Sequence, residues 1–206
     1  MTAMWPDTGI PGRIYGYVAN AKEILKDPSM AIRPMLRKEG MAMTDKIREV
    51  LNILDQENIS YEILEHPPVY TIGEVLDAGL PKEEVIAKNL FVRDDRKDQY
   101  MLLVVPGDRR VNLKAFRRAM GTRPLSFASG EELSRILGLS KGAVSPLGVL
   151  NDRKRQVRVF VDQVFAGGRI GVHPNDNTAT IWLATADLVA LLEKHGSRVQ
   201  MISFPE

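Results

Sequence analysis

Residues 85–92 read Val-Ile-Ala-Lys-Asn-Leu-Phe-Val, an apolar run interrupted at its centre by one lysine and one asparagine. The Val, Ile and Phe residues favour a buried strand, because β-branched and aromatic side chains pack well on a pleated surface. Lysine is almost never fully buried without a partner, so Lys88 needs either a route to solvent or an anion beside its ammonium group. Two interpretations follow: the Lys88 stem covers the core while its charge reaches water, or Lys88 lines a cleft and binds phosphate or carboxylate.

The composition is that of an ordinary globular protein. With 206 residues, 44% of them hydrophobic and 26% charged, the chain is long enough for one sizeable core. No apolar run approaches the ~18 residues of a membrane span, and no basic start precedes an apolar block, so we expect a cytoplasmic protein with no membrane partner. The absence of cysteine excludes disulfides, a thiol nucleophile and a zinc-thiolate site.

Basic residues are unevenly distributed, although the formal net charge is only +2. Two groups are opposed by few acids; one contains Arg109, Arg110, Lys114, Arg117, Arg118 and Arg123, and the other contains Arg153, Lys154, Arg155 and Arg158. A run of charges usually forms a solvated face. Two such groups in one chain also indicate a polyanionic partner.

The chain divides into two parts by composition. Residues 1–43 are punctuated by proline and glycine, with one short helical possibility near residues 17–25, and we interpret them as an N-terminal appendage of unknown role. Residues 44–206 carry regular periodicity and are expected to form the single domain.

Hydrophobic periodicity predicts helices and strands that do not alternate regularly. Thr44 can cap a helix whose apolar residues recur at i, i+3, i+4 and i+7, and Ser129 with Glu132 fits a capping box for another. The predicted helices begin at Asn112 and at the cap residues Thr44, Ser129 and Thr185, with a shorter piece near residues 74–78. The predicted strands cover residues 61–65, 85–92, 100–105, 125–127, 157–161, 169–172 and 180–183, and residues 199–202 end the domain. Hairpins recur and neither GxGxxG nor GxxxxGKS occurs, so we expect an α+β fold with a mixed, largely antiparallel sheet and flanking helices.

Two loops are candidate binding elements. Residues 141–148 contain two glycines and a proline with almost no functional side chain, so the loop is either a connector or a source of backbone N–H groups that approach a ligand closely. Residues 173–180 form the most polar loop of the chain and begin with His173. His66, at a predicted strand exit, is more typical of a surface turn than of a ligand contact, and His195 is expected to cap a helix C-terminus.

Three features in this order resemble the aminoacyl-tRNA editing family: the Lys88-Asn89 strand, the Gly142-x-x-x-Pro146 loop and the His173-Pro174…Asn177-Thr178 loop. That family includes the insertion domain of bacterial prolyl-tRNA synthetase and its free-standing relatives. The likeness is greatest to the free-standing deacylases of alanyl-tRNA(Pro), and it covers roughly residues 44–204. It implies a fold of the insertion-domain type and hydrolysis of the ester between a wrong amino acid and the 3′ end of tRNA.

The resemblance also implies a role for each matching residue. Lys88 would bind phosphate near the terminal adenosine, Asn89 would orient that end, and His173 would position the aminoacyl group. Substrate contacts would come from Gly142, Ala143, Val144, Ser145 and Pro146, together with Asn177 and Thr178; the acceptor stem would bind Arg109, Arg110, Lys114, Arg117 and Arg118. Water and the ribose hydroxyl of the substrate would perform the reaction with no protein nucleophile, no cofactor and no metal. The implied partners are mischarged tRNA(Pro) and, as a further candidate, prolyl-tRNA synthetase.

Three other functions remain open at this point. A deacylase of Cys- or Ser-tRNA would share the same family plan. A non-catalytic module that binds tRNA or a nucleotide would keep the cleft and lack turnover. A lysine enzyme that forms Schiff bases with small carbonyl compounds would use Lys88 as a nucleophile.

Overall fold

The described residues of the computed structural model, 17–19, 43–68 and 86–206, form two β-sheets that meet at one junction and carry helices on their faces. Nine strands and four α-helices lie in these residues. The predicted α+β class is confirmed. The short helical piece expected near residues 74–78 lies outside the described residues, as does residue 85 of the interrupted apolar run.

The first sheet has four antiparallel strands. Its order is β1 (Tyr17–Ala19), β2 (Tyr61–Glu65), β8 (Ala179–Ala184) and β7 (Arg169–Val172). The helical possibility near residues 17–25 is wrong for Tyr17–Ala19, which pairs with β2 in antiparallel register. A three-residue segment has too few local contacts to choose its own conformation, so pairing with a neighbouring strand decides it.

The second sheet has five strands and is mixed. Its order is β5 (Leu125–Phe127), β3 (Ala87–Asp94), β4 (Tyr100–Pro106), β6 (Val157–Asp162) and β9 (Arg198–Ile202). The pairs β3–β4 and β3–β5 are antiparallel, whereas β4–β6 and β6–β9 are parallel. A parallel bridge between Ile86 and Gly171 joins the start of β3 to the first sheet.

Side chains cap three of the four described helices, and the sequence predicts two of these caps, Thr44 and Ser129. The helices are α1 (Asp45–Gln56), α2 (Leu113–Met120), α3 (Gly130–Leu137) and α4 (Thr185–Lys194). Thr44 accepts from the Ile47 N–H at 3.4 Å, and Ser129 forms the predicted capping box. The expectation that Thr185 caps α4 is wrong: Ala184 occupies that position, and Thr185 is the first helical residue. The strand β8 runs directly into α4, and the Thr185 N–H donates to the Gly168 carbonyl at 3.0 Å instead.

The second sheet has two differently packed faces because successive strand residues point in opposite directions. The inner face, which includes Ala87, Phe91 and Leu102, packs in one core with the first sheet, α1, α3 and α4. The opposite face, here called the α2 face, includes Val92 and Met101 and packs with Phe116 of α2. No helix within the described residues is long and apolar enough to cross a membrane.

Candidate active site

Asn89 lies on the inner face and contacts the glycine-containing loop at residues 142–146. Its Nδ2 atom donates to the Val144 carbonyl at 3.0 Å. Its Oδ1 atom is buried and has no hydrogen-bond partner among the described residues. A buried acceptor without a partner costs free energy, so Asn89 Oδ1 offers an unused acceptor to a ligand donor.

Ser145 joins that loop to the second predicted binding loop. Its hydroxyl donates to the His173 carbonyl at 2.5 Å and accepts from the Leu147 N–H at 3.2 Å. The second contact caps a 3-10 helix over Pro146–Asn151, so regular structure begins inside the segment predicted as loop. Gly142 has φ of 89°, a left-handed conformation that favours glycine.

His173 is half-buried, and its hydrogen bonding defines its tautomer. The ring Nδ1 lies 2.9 Å from the Ala179 carbonyl, which can only accept, so Nδ1 carries the proton and Nε2 is the acceptor nitrogen. Burial lowers the pKa of His173, the Ala179 carbonyl opposes that shift, and nearby His66 adds to it. The ring is therefore neutral at neutral pH.

His66 is the main residue at this site that sequence reasoning assigned wrongly. It is 5% exposed rather than on the surface. Its ring centroid lies 6.1 Å from that of His173. The signal was available in strand alternation, since His66 follows buried Leu64 by two residues and so continues the same face of β2.

Asp176 organises the polar loop and was also missed. Its carboxylate accepts from the Thr178 N–H at 3.0 Å, from the Thr178 hydroxyl at 2.6 Å and from the Thr44 hydroxyl at 3.1 Å. Burial would raise the pKa of Asp176, but these hydrogen bonds and the charge of Lys46 outweigh it, so the net shift is downward. Thr178 is thus held by Asp176, and Asn177 lies beside it, half-buried.

Lys88 lies on the α2 face, whereas Asn89 lies on the inner face. Lys88 pairs with Val105, which belongs to the cluster on the α2 face, and Asn89 pairs with Val104, which belongs to the inner core. Its ammonium donates to the Arg109 carbonyl. Burial lowers the pKa of Lys88; the Asp108 carboxylate opposes that shift and Arg110 reinforces it. The structure therefore brings together Asn89, residues 142–146, His173 and the Asp176 loop, and it places Lys88 beside residues 108–110.

The predicted tRNA-binding residues are of two kinds. Arg109 is committed within the protein: its guanidinium donates to Asp162 at 2.8 Å and to the Phe204 carbonyl at 2.6 Å. The other four are exposed on α2 and the turn before it, namely Arg110, Lys114, Arg117 and Arg118. Residues 108–112 also line an open groove of about 640 Å³. Phe127 is 61% exposed and lies opposite Val92 on the same sheet face as α2.

The remaining basic residues are partly paired. Arg123 forms a bidentate ion pair with Asp95, in which Nε lies 2.6 Å from Oδ1 and Nη2 lies 2.9 Å from Oδ2. In the second group, Arg158 lies over the Phe160 ring at 5.0 Å, whereas the neighbouring Arg153, Lys154 and Arg155 are exposed. No cluster of three or more His, Asp or Glu side chains in the described ranges could hold a metal ion.

Comparisons with known proteins agree with this fold. Residues 66–191 match the model of the aminoacyl-tRNA editing domain, which covers more than half of the chain. A relative from Acetoanaerobium sticklandii, the prolyl-tRNA editing protein ProX, is 40% identical over 77% of this chain and 97% of its own length. The prolyl-tRNA synthetase associated domain-containing protein 1 of Danio rerio is 31% identical over 80% of this chain and 91% of its own length.

A solved structure, described as a candidate trans-editing enzyme for prolyl-tRNA synthetase, superposes with a TM-score of 0.63 at 22% identity, covering 80% of this chain and 99% of that one. The fold of the described residues is therefore that of an editing domain. The chain belongs to the aminoacyl-tRNA editing family. The expected family and class of activity, an aminoacyl-tRNA deacylase, are confirmed.

Proposed function

We propose that this chain is a trans-editing deacylase that removes alanine from mischarged tRNA(Pro). The observation that carries the proposal is the pair of hydrogen bonds, Asn89 to Val144 and Ser145 to His173, that gathers three separate segments around one site. The name of the 40% identical bacterial relative supports prolyl-tRNA as the tRNA class. An enzyme that edits after release must bind the whole acceptor end, for which exposed basic residues are suited.

In this proposal the protein positions the reactants and contributes no nucleophile. The oxygen of water bonds to the ester carbonyl carbon and the bond from that carbon to the ribose oxygen breaks. One proton of the water passes to the ribose oxygen, and the other is released to solvent as the free amino acid ionises to its carboxylate. The unused Asn89 Oδ1 accepts from a terminal ribose hydroxyl, and the backbone N–H groups of Gly142, Val144 and Ser145 stabilise the developing oxyanion. His173, neutral and with Nε2 as acceptor, holds the aminoacyl group in place.

Lys88 serves as an electrostatic anchor for a phosphate. An ammonium group has three donors, and the Arg109 carbonyl uses one of them, so two remain for phosphate oxygens. The ion-paired Arg109 acts as the support that keeps this carbonyl in place. Arginine keeps the charge but not the compact geometry of an ammonium, so Lys88→Arg retains part of the activity.

Residues 142–146 form the wall that selects alanine. A synthetase pocket built for proline excludes a smaller side chain poorly, because a methylene group changes binding by only ~1–3 kcal/mol. A second site that admits only small side chains corrects this error. The left-handed Gly142 and the buried Ala143 and Pro146 keep this wall close to the substrate. Asn177 and Thr178 complete the contact from the polar loop.

The acceptor stem binds the exposed face of α2. Arg110, Lys114, Arg117 and Arg118 supply charge there, and Phe127 adds an exposed aromatic ring on which an unpaired base can stack. Arg109 leaves this set because its guanidinium is already paired. Prolyl-tRNA synthetase, as a second partner, and a cytoplasmic location are parts of the same proposal.

The test is a panel of tRNAs charged with alanine, cysteine or serine, incubated with purified protein. We expect release of alanine from Ala-tRNA(Pro) to be fastest, to be abolished in Lys88→Ala, and to persist in the matched surface control Lys194→Ala. We also expect kcat/KM to fall as salt rises, with the slope reduced by about one for each of Arg117→Gln and Arg118→Gln.

Each alternative has its own signature in this panel. Preferred release of cysteine or serine would favour the sister specificities, and tight tRNA binding without release would favour a non-catalytic module. Trapping by borohydride would reveal a Schiff base at Lys88. An unchanged rate in Lys88→Ala would refute the anchoring role.

A further inference from the structure

The buried His66 and the half-buried His173 form a pair of rings linked through residues 178–180, at the start of β8. His66 Nδ1 donates to the Pro67 carbonyl at 2.8 Å, and His66 Nε2 lies 3.0 Å from the Thr180 hydroxyl. The His66 N–H also donates to the Thr178 carbonyl at 2.9 Å. His173 in turn donates to the Ala179 carbonyl. Three consecutive residues, 178–180, thus hold both histidines.

The hydrogen bonds define the protonation of His66 as they do that of His173. The Pro67 carbonyl can only accept, so His66 Nδ1 carries the proton and Nε2 accepts from the Thr180 hydroxyl. Protonating Nε2 would reverse that second bond, because the Thr180 hydroxyl would then have to accept from the ring. It would also place a positive charge next to the His173 ring, whose centroid is 6.1 Å away.

The charged groups around the pair favour two neutral rings. Burial lowers the pKa of His66, while the Pro67 and Ala179 carbonyls and the Asp176 charge oppose that shift. For His173 the facing titratable groups are His66 and Asp176, and the 142–146 loop contributes only the uncharged Ser145. From α1, Thr44 and Lys46 act on Asp176.

We infer that His66 is a positioning residue for His173, fixing through Thr180 and the neighbouring backbone the orientation in which His173 presents Nε2 to the aminoacyl group. The orientation is observable in the protein without substrate, although its catalytic consequence rests on the proposed function. His66 itself has both ring nitrogens occupied by the protein, so it touches no substrate in this arrangement.

The chain has only three histidines, which makes the inference testable by NMR of the imidazole nitrogens. Single Asn variants at the three positions assign the signals. We expect His66 and His173 to be neutral Nδ1–H tautomers that titrate below 6.5, the ordinary value. In His66→Asn the His173 pKa should rise, because the ring that competes with His173 for a proton and repels it once protonated is removed, and part of the burial is lost.

Kinetics with Ala-tRNA(Pro) add a second readout. In His66→Asn we expect kcat to fall about 10- to 100-fold with KM nearly unchanged, because the reacting groups are misplaced while the tRNA contacts remain. The acid limb of the pH profile should move to higher pH, following His173. Thr180→Val removes only the hydroxyl bonded to His66 Nε2, so it should change kcat and the acid limb of the pH profile in the same direction but by less. The control His195→Asn should change neither.

The two readouts separate this inference from the proposed function. If the His173 tautomer and titration are the same in His66→Asn, Thr180→Val and the unaltered protein, the positioning role is wrong even if the protein edits tRNA. If the tautomers and the shift appear but no aminoacyl-tRNA is cleaved, the positioning role stands and the substrate assignment fails. Should His66→Asn fail to fold, the Thr180→Val comparison decides alone.

Discussion

Glu132 is the residue where a local sequence signal and a tertiary network coincide. It is the capping-box glutamate of α3, and it is buried. Burial would raise the pKa of Glu132, but the Ser129 N–H at 2.7 Å, the Tyr100 hydroxyl at 3.1 Å and the Arg93 guanidinium at 3.1 Å donate to it and lower the pKa from 4.5 to about 2. The same carboxylate therefore caps the start of a helix and ties it to β3 and β4.

Glu132→Gln should destabilise the protein by about 1–3 kcal/mol at pH 7, since charge-assisted hydrogen bonds become neutral ones. A pKa lowered by folding adds stability above its unfolded value of 4.5, and that stability is lost as pH falls from there toward 2. The difference in the free energy of unfolding between the variant and the unaltered protein should therefore become smaller below pH 4.5. Urea unfolding at pH 7 and pH 3 measures it, with exposed Glu131→Gln as control. A difference in the free energy of unfolding that does not change with pH would contradict this account.

Residue roles were predictable where neighbours along the chain decide them. Lys88 stood out correctly as an ammonium in an apolar strand, and the structure places it beside a carbonyl and the turn at residues 108–110. Grouping Lys88 with Asn89 overlooked that adjacent strand residues face opposite ways. Strand alternation could have shown that His66 is buried, but its bond to Thr180 and that of Asp176 to Thr44 join residues far apart in the sequence and could not be predicted.

Helices and strands, like the roles of single residues, were predictable where contacts close in the sequence determine them. The caps at Thr44 and Ser129 are confirmed because a cap is made within three residues of chain. The start of α4 was predicted wrongly because its first N–H finds the distant Gly168 carbonyl. Tyr17–Ala19 is a strand for the same kind of reason, since it pairs with β2, which is distant in the sequence.

Gly171 allows β3, β7 and β8 to meet. A Cβ atom there would lie 2.7 Å from Trp182 Nε1 and 3.2 Å from Ile86 Cγ1. Trp182 is buried, so its indole cannot move at low cost. Gly171→Ala should therefore lose about 1–3 kcal/mol of stability, as overpacked cores do. It should also slow deacylation, because a shift of Ile86 would move the start of β3, which carries Asn89.

The matched control is Gly168→Ala, where a Cβ would meet only the Phe165 carbonyl at 3.8 Å. Thermal unfolding followed by circular dichroism compares the two variants. Equal stability of both would show that the close approach at Gly171 is not a constraint on the junction between the sheets.

At the scale of the whole molecule, the sequence indicated a mixed sheet but not two sheets. The antiparallel pair β3–β4 follows from one charged turn at residues 95–99, whereas the parallel pairs β4–β6 and β6–β9 depend on crossovers that pass through α2, α3 and α4. Such connections have no short-range signature. The site depends on this topology, because Asn89, Val144 and His173 come from different segments of the chain.

The division at residue 43 is the prediction that concerns the whole chain. We propose that residues 44–206 are the editing domain, because the buried members of both hydrophobic clusters in the described part of the chain lie there, and Met43 packs against them from just before it. A truncated chain of residues 44–206 should therefore fold and retain most deacylation. Loss of β1 leaves the backbone of β2 unpaired on one side. We therefore expect Tm to fall, by roughly 2–4 °C for each kcal/mol of unfolding free energy that is lost.

Val18→Pro in the full chain provides the matched comparison, because it removes a backbone donor from β1 while keeping the rest of the segment. If pairing of β1 with β2 is the main contribution of residues 1–43, this variant and the truncated chain should lose similar Tm in calorimetry. A truncated chain that fails to fold while Val18→Pro stays folded would place a larger part of residues 1–43 within the domain. A truncated chain that folds but no longer cleaves Ala-tRNA(Pro) would instead assign that segment a role in tRNA binding, which the salt dependence of kcat/KM would reveal as a smaller slope.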